Sequence, residues 1–443
     1  MRKIFEYVEY KPVYIIAGLF LFHIIVACLM SWIAYSPYLS SLHNGQGLWK
    51  FSVDSTLYHK EAISLIEVLN EGKWSFWWNS YPGHMQVRWI ALIYWIFGGA
   101  YPVLFEIVNS FLWVASVIFV YRAGYYLFDG NVKLACISAL FLFFPSVILS
   151  STQLLREPFY IFGLCSIVYG WSILQSKESA WKAVLFITLG FYYVVSVRVY
   201  VIPMIFGVFL LWTVILLFYK KVERAPALAL LFFILFISYG PNLSSLFYTS
   251  GEGFATKANV PAAIVFKPPE GYNGEGLKAF LDSRIAWRLS AMRHGFGSVN
   301  TTAGSGIDKI VRYQKIEDLF VYLPRAIQIG FLSPFPNHWI ASGKQTGRLG
   351  RVIAGFETLV LYIVLAGFLW TLFNNMKIIQ ILAPALIFSG VVVILLGFVV
   401  PNIGAIYRMR QGLLVPYFMM GAYGVYFMVL QLKEKYKQGN IIK

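Results

Sequence analysis

The run PVYIIAGLFLFHIIVACLMSWIAY, residues 12–35, contains no carboxylate, lysine or arginine. A stretch of that length satisfies its own backbone groups in lipid only as a helix. Comparable runs recur near 101–127, 133–150, 158–175, 182–197, 200–219, 225–243, 353–373, 378–400 and 411–431. Together they predict about ten crossings. Apolar residues make up 59% of the chain and charged ones 13%, which excludes an ordinary soluble domain. The fold class read from the sequence is therefore an all-α polytopic membrane protein. The first run, taken from Val13, follows a short head of mixed charge and has no small-residue cleavage site, so it reads as a retained span.

The formal charge of +16 invites a nucleic-acid reading, but the basic residues are scattered at span ends and carry no recognition motif. Membrane lipids are the expected partner and nucleic acid is not. Lys133, Lys177 with Lys182, Lys220 with Lys221 and Arg224, Lys377, and the tail holding Lys433, Lys435 and Lys437 all fall on one side if residues 85–98 do not cross. That side is cytoplasmic by the positive-inside tendency, and both termini go with it. Cys28, Cys136 and Cys165 lie in apolar runs without disulfide or metal spacing.

Three segments follow. Residues 1–243 form an N-terminal transmembrane module whose first outer loop is 36–100. Residues 244–352 form a large outer loop, and 353–443 the C-terminal spans. VRWIALIYWIFGG (87–99) and the proline-interrupted 319–336 are marginal in length and read as interfacial helices. In the first loop Ala62, Leu65, Ile66 and Leu69 recur at helical spacing; in the second, Leu277, Leu281, Ile285, Leu289 and Met292 predict an apolar stripe that contains Arg288. GFGSVNTTAGSG (295–306) lacks the strand and the Lys-Ser/Thr ending of a phosphate loop, and reads as a mobile lid.

VDSTLYHKEA (53–62) concentrates charge directly after the first span. Asp54 is either the N-cap of the following helix or a carboxylate at the mouth of the bundle, acting as general base on a hydroxyl. TQLLREPFYIFG (152–163) brings a second acid, Glu157, to the next outer turn, where the two can converge, one as base and the other orienting a sugar or a metal. Arg156, Arg198, Arg408 and Arg410 fall on the outer side, against the usual tendency, and a phosphate in the outer leaflet accounts for them. Arg284, Arg288 and Arg293, with Lys344, Arg348 and Arg351, are weaker loop candidates. His23 reads as a packed histidine. Glu106 and Glu357, near outer span ends, are costly enough to be functional candidates or else reach the interface. No HExxH, nucleophile-elbow serine or metal-ligand spacing of His59 and His84 occurs, so no cofactor is assigned and a divalent metal is not indicated.

Taken in order, DSTLYHKEA, YPGHMQVRWIALIYWIFGG, the stretch from Ile107 to Phe159, and FLSPFP resemble the bacterial GT-C glycosyltransferases related to protein O-mannosyltransferases and to the aminoarabinose transferase of lipid A. The shared features are an acid in the first outer loop, a Tyr-Pro stretch opening an interfacial helix, a Phe-Gly end to it, and an acid before a later span. Here these fall on Asp54, Tyr81 with Pro82, Phe97 with Gly98, and Glu157. The resemblance covers roughly the first 200 residues, and the rest of the chain only through span count, FLSPFP and the late arginines. Ser55 stands where a second acid is common, and Glu106 where relatives often carry Arg.

The resemblance implies a GT-C-like bundle and an inverting transferase. Its partners would be a polyprenyl-phosphate sugar donor and a glycan, lipid or protein acceptor. Asp54 would take the acceptor's proton while Arg198, Arg408 and Arg410 neutralise the leaving phosphate, with Tyr58, His59, His84, Arg156, Arg288 and Arg293 as further substrate contacts. An O-antigen or capsule polymerase, drawing on Arg284 to Arg293, and a lipid-linked glycan transporter or flippase without chemistry are the alternatives.

Overall fold

A computed structural model describes residues 12–176, 179–198, 207–208, 276–299, 304–341, 343 and 345–441. Among them no β-strand forms; three isolated bridges, His43 to Trp49, Gly306 to Asn402 and Gly343 to Gly347, staple loops. Helices are numbered here in chain order among the described residues. They are α1 Pro12–Tyr35, α2 Val53–Asn70, α3 Trp74–Asn79, α4 Met85–Phe97, α5 Glu106–Leu127, α6 Val132–Ala139, α7 Pro145–Ser151, α8 Glu157–Gln175 and α9 Ala180–Val197. After the undescribed stretch come α10 Leu277–Leu281, α11 Trp287–Val299, α12 Ile316–Leu332, α13 Gly347–Asn374, α14 Met376–Ile381, α15 Ala383–Val399, α16 Ile403–Met409 and α17 Val415–Ile441.

Six of these helical stretches are long and apolar enough to cross a bilayer: Val13–Tyr35, Pro102–Leu127, Glu157–Gln175, Ala180–Val197, Gly347–Asn374 and Gly412–Tyr436. Two of the expected runs are broken. The 133–150 run bends by 61° between Val132–Phe143 and Pro145–Ser151, because Pro145 has no N–H to continue the ladder and forces Phe144 out of helical geometry. The 378–400 run divides at Leu382, ahead of Pro384 in the first turn of α15. The expected spans at 200–219 and 225–243 lie outside the described residues apart from 207–208, as do all of 244–275 and residues 300–303 of the expected lid. At 13 residues α4 is too short to cross, and α12 keeps Pro324 within its length.

Close backbone contact holds the spans together. A Cβ on Gly163 of α8 would sit 2.7 Å from the carbonyl oxygen of Gly190 on α9, so both positions demand glycine for the helices to approach this far. Buried hydroxyls do the rest: His23 on α1 bonds Ser110 on α5 at 2.9 Å and Ser151 on α7 at 2.7 Å, as a packed histidine.

The loop helix predicted from Leu277 forms, but with a different face inward. Residues 282–286 make a π-turn between its two parts. Ala286, Ser290 and Arg293 are buried, while Leu277, Ile285 and Met292 face out, an apolar exterior of the kind lipid solvates.

Candidate functional site

α2 begins at Val53, so the N-cap position falls to Ser52 and not to Asp54. Ser52 does not cap; its hydroxyl donates to Trp49 O at 2.8 Å and to Gln153 Oε1 at 3.1 Å. Asp54 stands in the first turn, where the helix dipole favours an anion, and the capping alternative falls away. Behind it Ser55, Tyr58, Ala62, Leu65 and Leu69 are buried and lock the helix in place.

The carboxylate of Asp54 accepts a hydrogen bond from Arg408 Nη2 at 2.5 Å. Arg408 comes from α16, a seven-residue helix whose start is capped by the Asn402 side chain on Gly404 N and Ala405 N. The Nε of the same guanidinium lies 3.3 Å from Glu157 Oε1, at the first residue of α8. Arg198, where α9 ends, stands 3.6 Å from that oxygen and has its guanidinium 4.3 Å from the centre of the Tyr160 ring. Neither Glu157 contact has hydrogen-bond alignment, so these are charge pairs. Burial works against the Arg408 charge, but Glu157 and Asp54 outweigh it and hold the guanidinium above its ordinary value.

The two acids differ in access. The Asp54 side chain is 35% exposed and that of Glu157 2%. The Asp54 carboxylate is therefore open to solvent, while that of Glu157 is enclosed against Arg408 and Arg198. Arg156, one residue before Glu157, has no hydrogen-bonded or ion-paired protein partner among the described residues, and its Nε is buried without an acceptor. Its charge bears on Tyr58 and His84, which also feel Asp54. The Tyr58 and His84 rings lie 5.4 Å apart. Burial first, then Arg156, lowers the His84 imidazole to about 4, so it offers a neutral hydrogen-bonding group and no charge. Burial pushes the Tyr58 phenol up to about 12.

Ser55 Oγ, His84 Nδ1 and both amide atoms of Gln86 are buried without partners, at the starts of α2 and α4. Buried polar atoms normally find partners, and a cluster that does not is a place where a polar ligand or water completes the set. Arg156, Arg198 and Arg408 against Asp54 and Glu157 leave a surplus of one positive charge.

Other residues singled out from sequence go elsewhere. Arg410 is 1% exposed and donates to the carbonyl oxygens of Gly330, at 2.5 Å, and Ser333, so it clamps the end of α12 and is not turned to a ligand. Arg293, also 1% exposed, donates to the carbonyls of Gly397, Phe398, Ile307 and Asp308 and to the Tyr322 hydroxyl. Its role is to tie α11 to α15. Arg288 is exposed on α11. His59 Nδ1 lies 2.9 Å from the Tyr94 hydroxyl, and burial lowers its pKa. Glu106 is buried with one donor, Asn109 Nδ2 at 3.2 Å. Among the described residues no group of three or more His, Cys, Asp or Glu side chains is placed to hold a metal ion.

Ser55 and Gln86 were not visible as site residues in the sequence; their only signal is position, next to Asp54 and two residues after His84. Searches against family models, curated proteins and solved structures find no match for this chain, so its site stands on its own geometry.

Proposed function

We propose that this protein is a multi-pass membrane glycosyltransferase that moves a sugar from a polyprenyl-phosphate donor to a hydroxyl of a glycan, lipid or protein acceptor. The observation that carries the reading is the meeting of Asp54, Glu157 and Arg408 beside the unpartnered Arg156. A half-open carboxylate next to a spare guanidinium suits a reaction in which a proton leaves one substrate while negative charge gathers on another.

In this reading the acceptor O–H gives its proton to Asp54 as its oxygen bonds to the sugar's anomeric carbon. The bond from that carbon to the phosphate oxygen breaks, its electrons stay on the phosphate, and the carbon inverts. Arg156 meets the leaving phosphate. Arg408 orients the Asp54 carboxylate, and Glu157, which also faces Arg198, holds Arg408. The polymerase alternative relied on Arg284 to Arg293, and Arg293 is spent on main-chain carbonyls. A transporter without chemistry is disfavoured because the buried Glu106, Glu157 and Arg198 stand at helix starts and ends, not at mid-span. The site would face outward in the cytoplasmic membrane, with both termini inside, as the loop lysines imply.

The test is mass spectrometry of lipid-linked and surface glycans in cells with and without the protein. The purified protein in nanodiscs is then offered polyprenyl-phosphate sugars as donors. Loss of one sugar from one glycan class, restored by the parent and not by Asp54→Asn, supports the reading; unchanged glycans and no transfer from any donor reject it.

A further inference from the structure

The Glu357 carboxylate, on α13, is 3% exposed and accepts three hydrogen bonds. Two come from Ser146, the backbone N–H at 2.8 Å and the hydroxyl at 2.6 Å; the third comes from the Tyr407 hydroxyl. Ser146 is the second residue of α7, just after the Phe144–Pro145 break, so the carboxylate takes an N–H that the broken helix leaves without an internal acceptor. Tyr407 immediately precedes Arg408.

One buried side chain thus grips both segments that build the ionic site. From Ser146 the chain runs through α7 and residues 152–155 to Arg156 and Glu157. From Tyr407 it passes directly to Arg408. A second strut joins the same two segments further along, where the Ser150 hydroxyl donates to Gln411 Oε1 at 3.0 Å. The third junction is the Glu157 to Arg408 pair itself. Segment 146–157 and segment 407–411 are therefore held in register at three points, and the first is bridged from a third helix.

We infer that Glu357 is a positioning residue: by holding Tyr407 and Ser146 together it sets where Arg408 stands relative to Asp54 and Glu157. For transfer this rests on the function proposed above, but the geometric claim does not. An isolated buried carboxylate would be costly in an apolar bundle, and the three donors account for its place there. Its neutral amide can keep much of the arrangement, since a glutamine oxygen can accept from Ser146 and its NH2 can donate to the Tyr407 oxygen.

The test uses the full-length protein in nanodiscs, with Glu357→Gln, Glu357→Ala and Tyr407→Phe. Tyr407→Phe leaves the Ser146 contacts intact and serves as the informative variant if Glu357→Ala does not fold. In each background Asp54→Ala, which removes the acceptor as well as the charge, and Arg408→Gln are made singly and together, and thermal midpoints are compared. In the parent the two changes are expected to be non-additive, as for contacting residues, and in Glu357→Ala or Tyr407→Phe to approach additivity. Glu357→Gln should keep the coupling. In transfer assays Glu357→Ala and Tyr407→Phe should lower kcat about 10- to 100-fold with donor KM little changed, and Gln should restore most of it. Coupling that is unchanged in both Glu357→Ala and Tyr407→Phe, or in Tyr407→Phe alone when Glu357→Ala does not fold, would overturn the inference. A parent without transfer activity but with the expected coupling pattern would reject the enzyme and leave the positioning role standing.

Discussion

Arg408 and Asp54 are 354 positions apart in the chain, yet Nη2 of one stands 2.5 Å from Oδ2 of the other. The pair closes the last helices of the protein onto the loop after its first span. No local motif contains it; the site exists only once α16 has been anchored by Asn402 at one end and by the Arg410 clamp at the other. Because Asp54 is the accessible member and Glu157 the buried one, the proposed reaction gives the two acids separate duties.

Arg156 should matter for ligand binding and little for folding, since no acceptor among the described residues meets it. Arg156→Gln is expected to leave the thermal midpoint near that of the parent and to raise donor KM by roughly tenfold or more, about 1.4 kcal/mol of lost anion binding. Lysine should rescue in part, keeping the charge without the planar fork. Unaltered donor affinity in the Gln variant would remove Arg156 from the phosphate site.

Arg410 should behave in the opposite way. Arg410→Gln strips two buried carbonyls of their donor, at a cost of about 1–3 kcal/mol, and the midpoint should fall accordingly. The fraction that remains folded should bind donor with parental KM. A rise in KM without loss of stability would place Arg410 on the substrate after all.

His84 gives a pH signature. Its folded pKa is lowered from 6.5 to about 4, so the unfolded chain takes up its proton first as the solution is acidified. The stabilising effect is complete above 6.5 and is lost as pH falls towards about 4. Melting curves across that window should show a smaller acid-induced drop for His84→Gln than for the parent. Equal drops would mean the imidazole is protonated as readily folded as unfolded.

The six long apolar helices were legible because an apolar run of that length has one physical solution in lipid, while the expected spans 133–150 and 378–400 break near Pro145 and Pro384, whose missing N–H donors run length alone does not weigh. Asp54 and Glu157 were legible as a pair of acids at successive turns. Their common partner was not, because an arginine that meets a carboxylate, as Arg408 does, looks the same in sequence as one that meets carbonyl oxygens, as Arg293 and Arg410 do. The stripe from Leu277 to Met292 misled for a different reason: in a membrane protein an apolar face can turn to lipid as readily as to the core, and residue types do not separate the two. Glu357 stood out only as an expensive charge, since its donors lie 211 and 50 positions away.

The central claim is that Asp54 takes a proton, and Asp54→Asn addresses it directly. Asparagine is nearly isosteric, keeps an oxygen for Arg408 and cannot act as a base. The account predicts a variant that inserts and melts close to the parent while sugar transfer falls about 10²- to 10⁴-fold, with Asp54→Glu retaining a trace. Near-parental turnover in Asp54→Asn would contradict it.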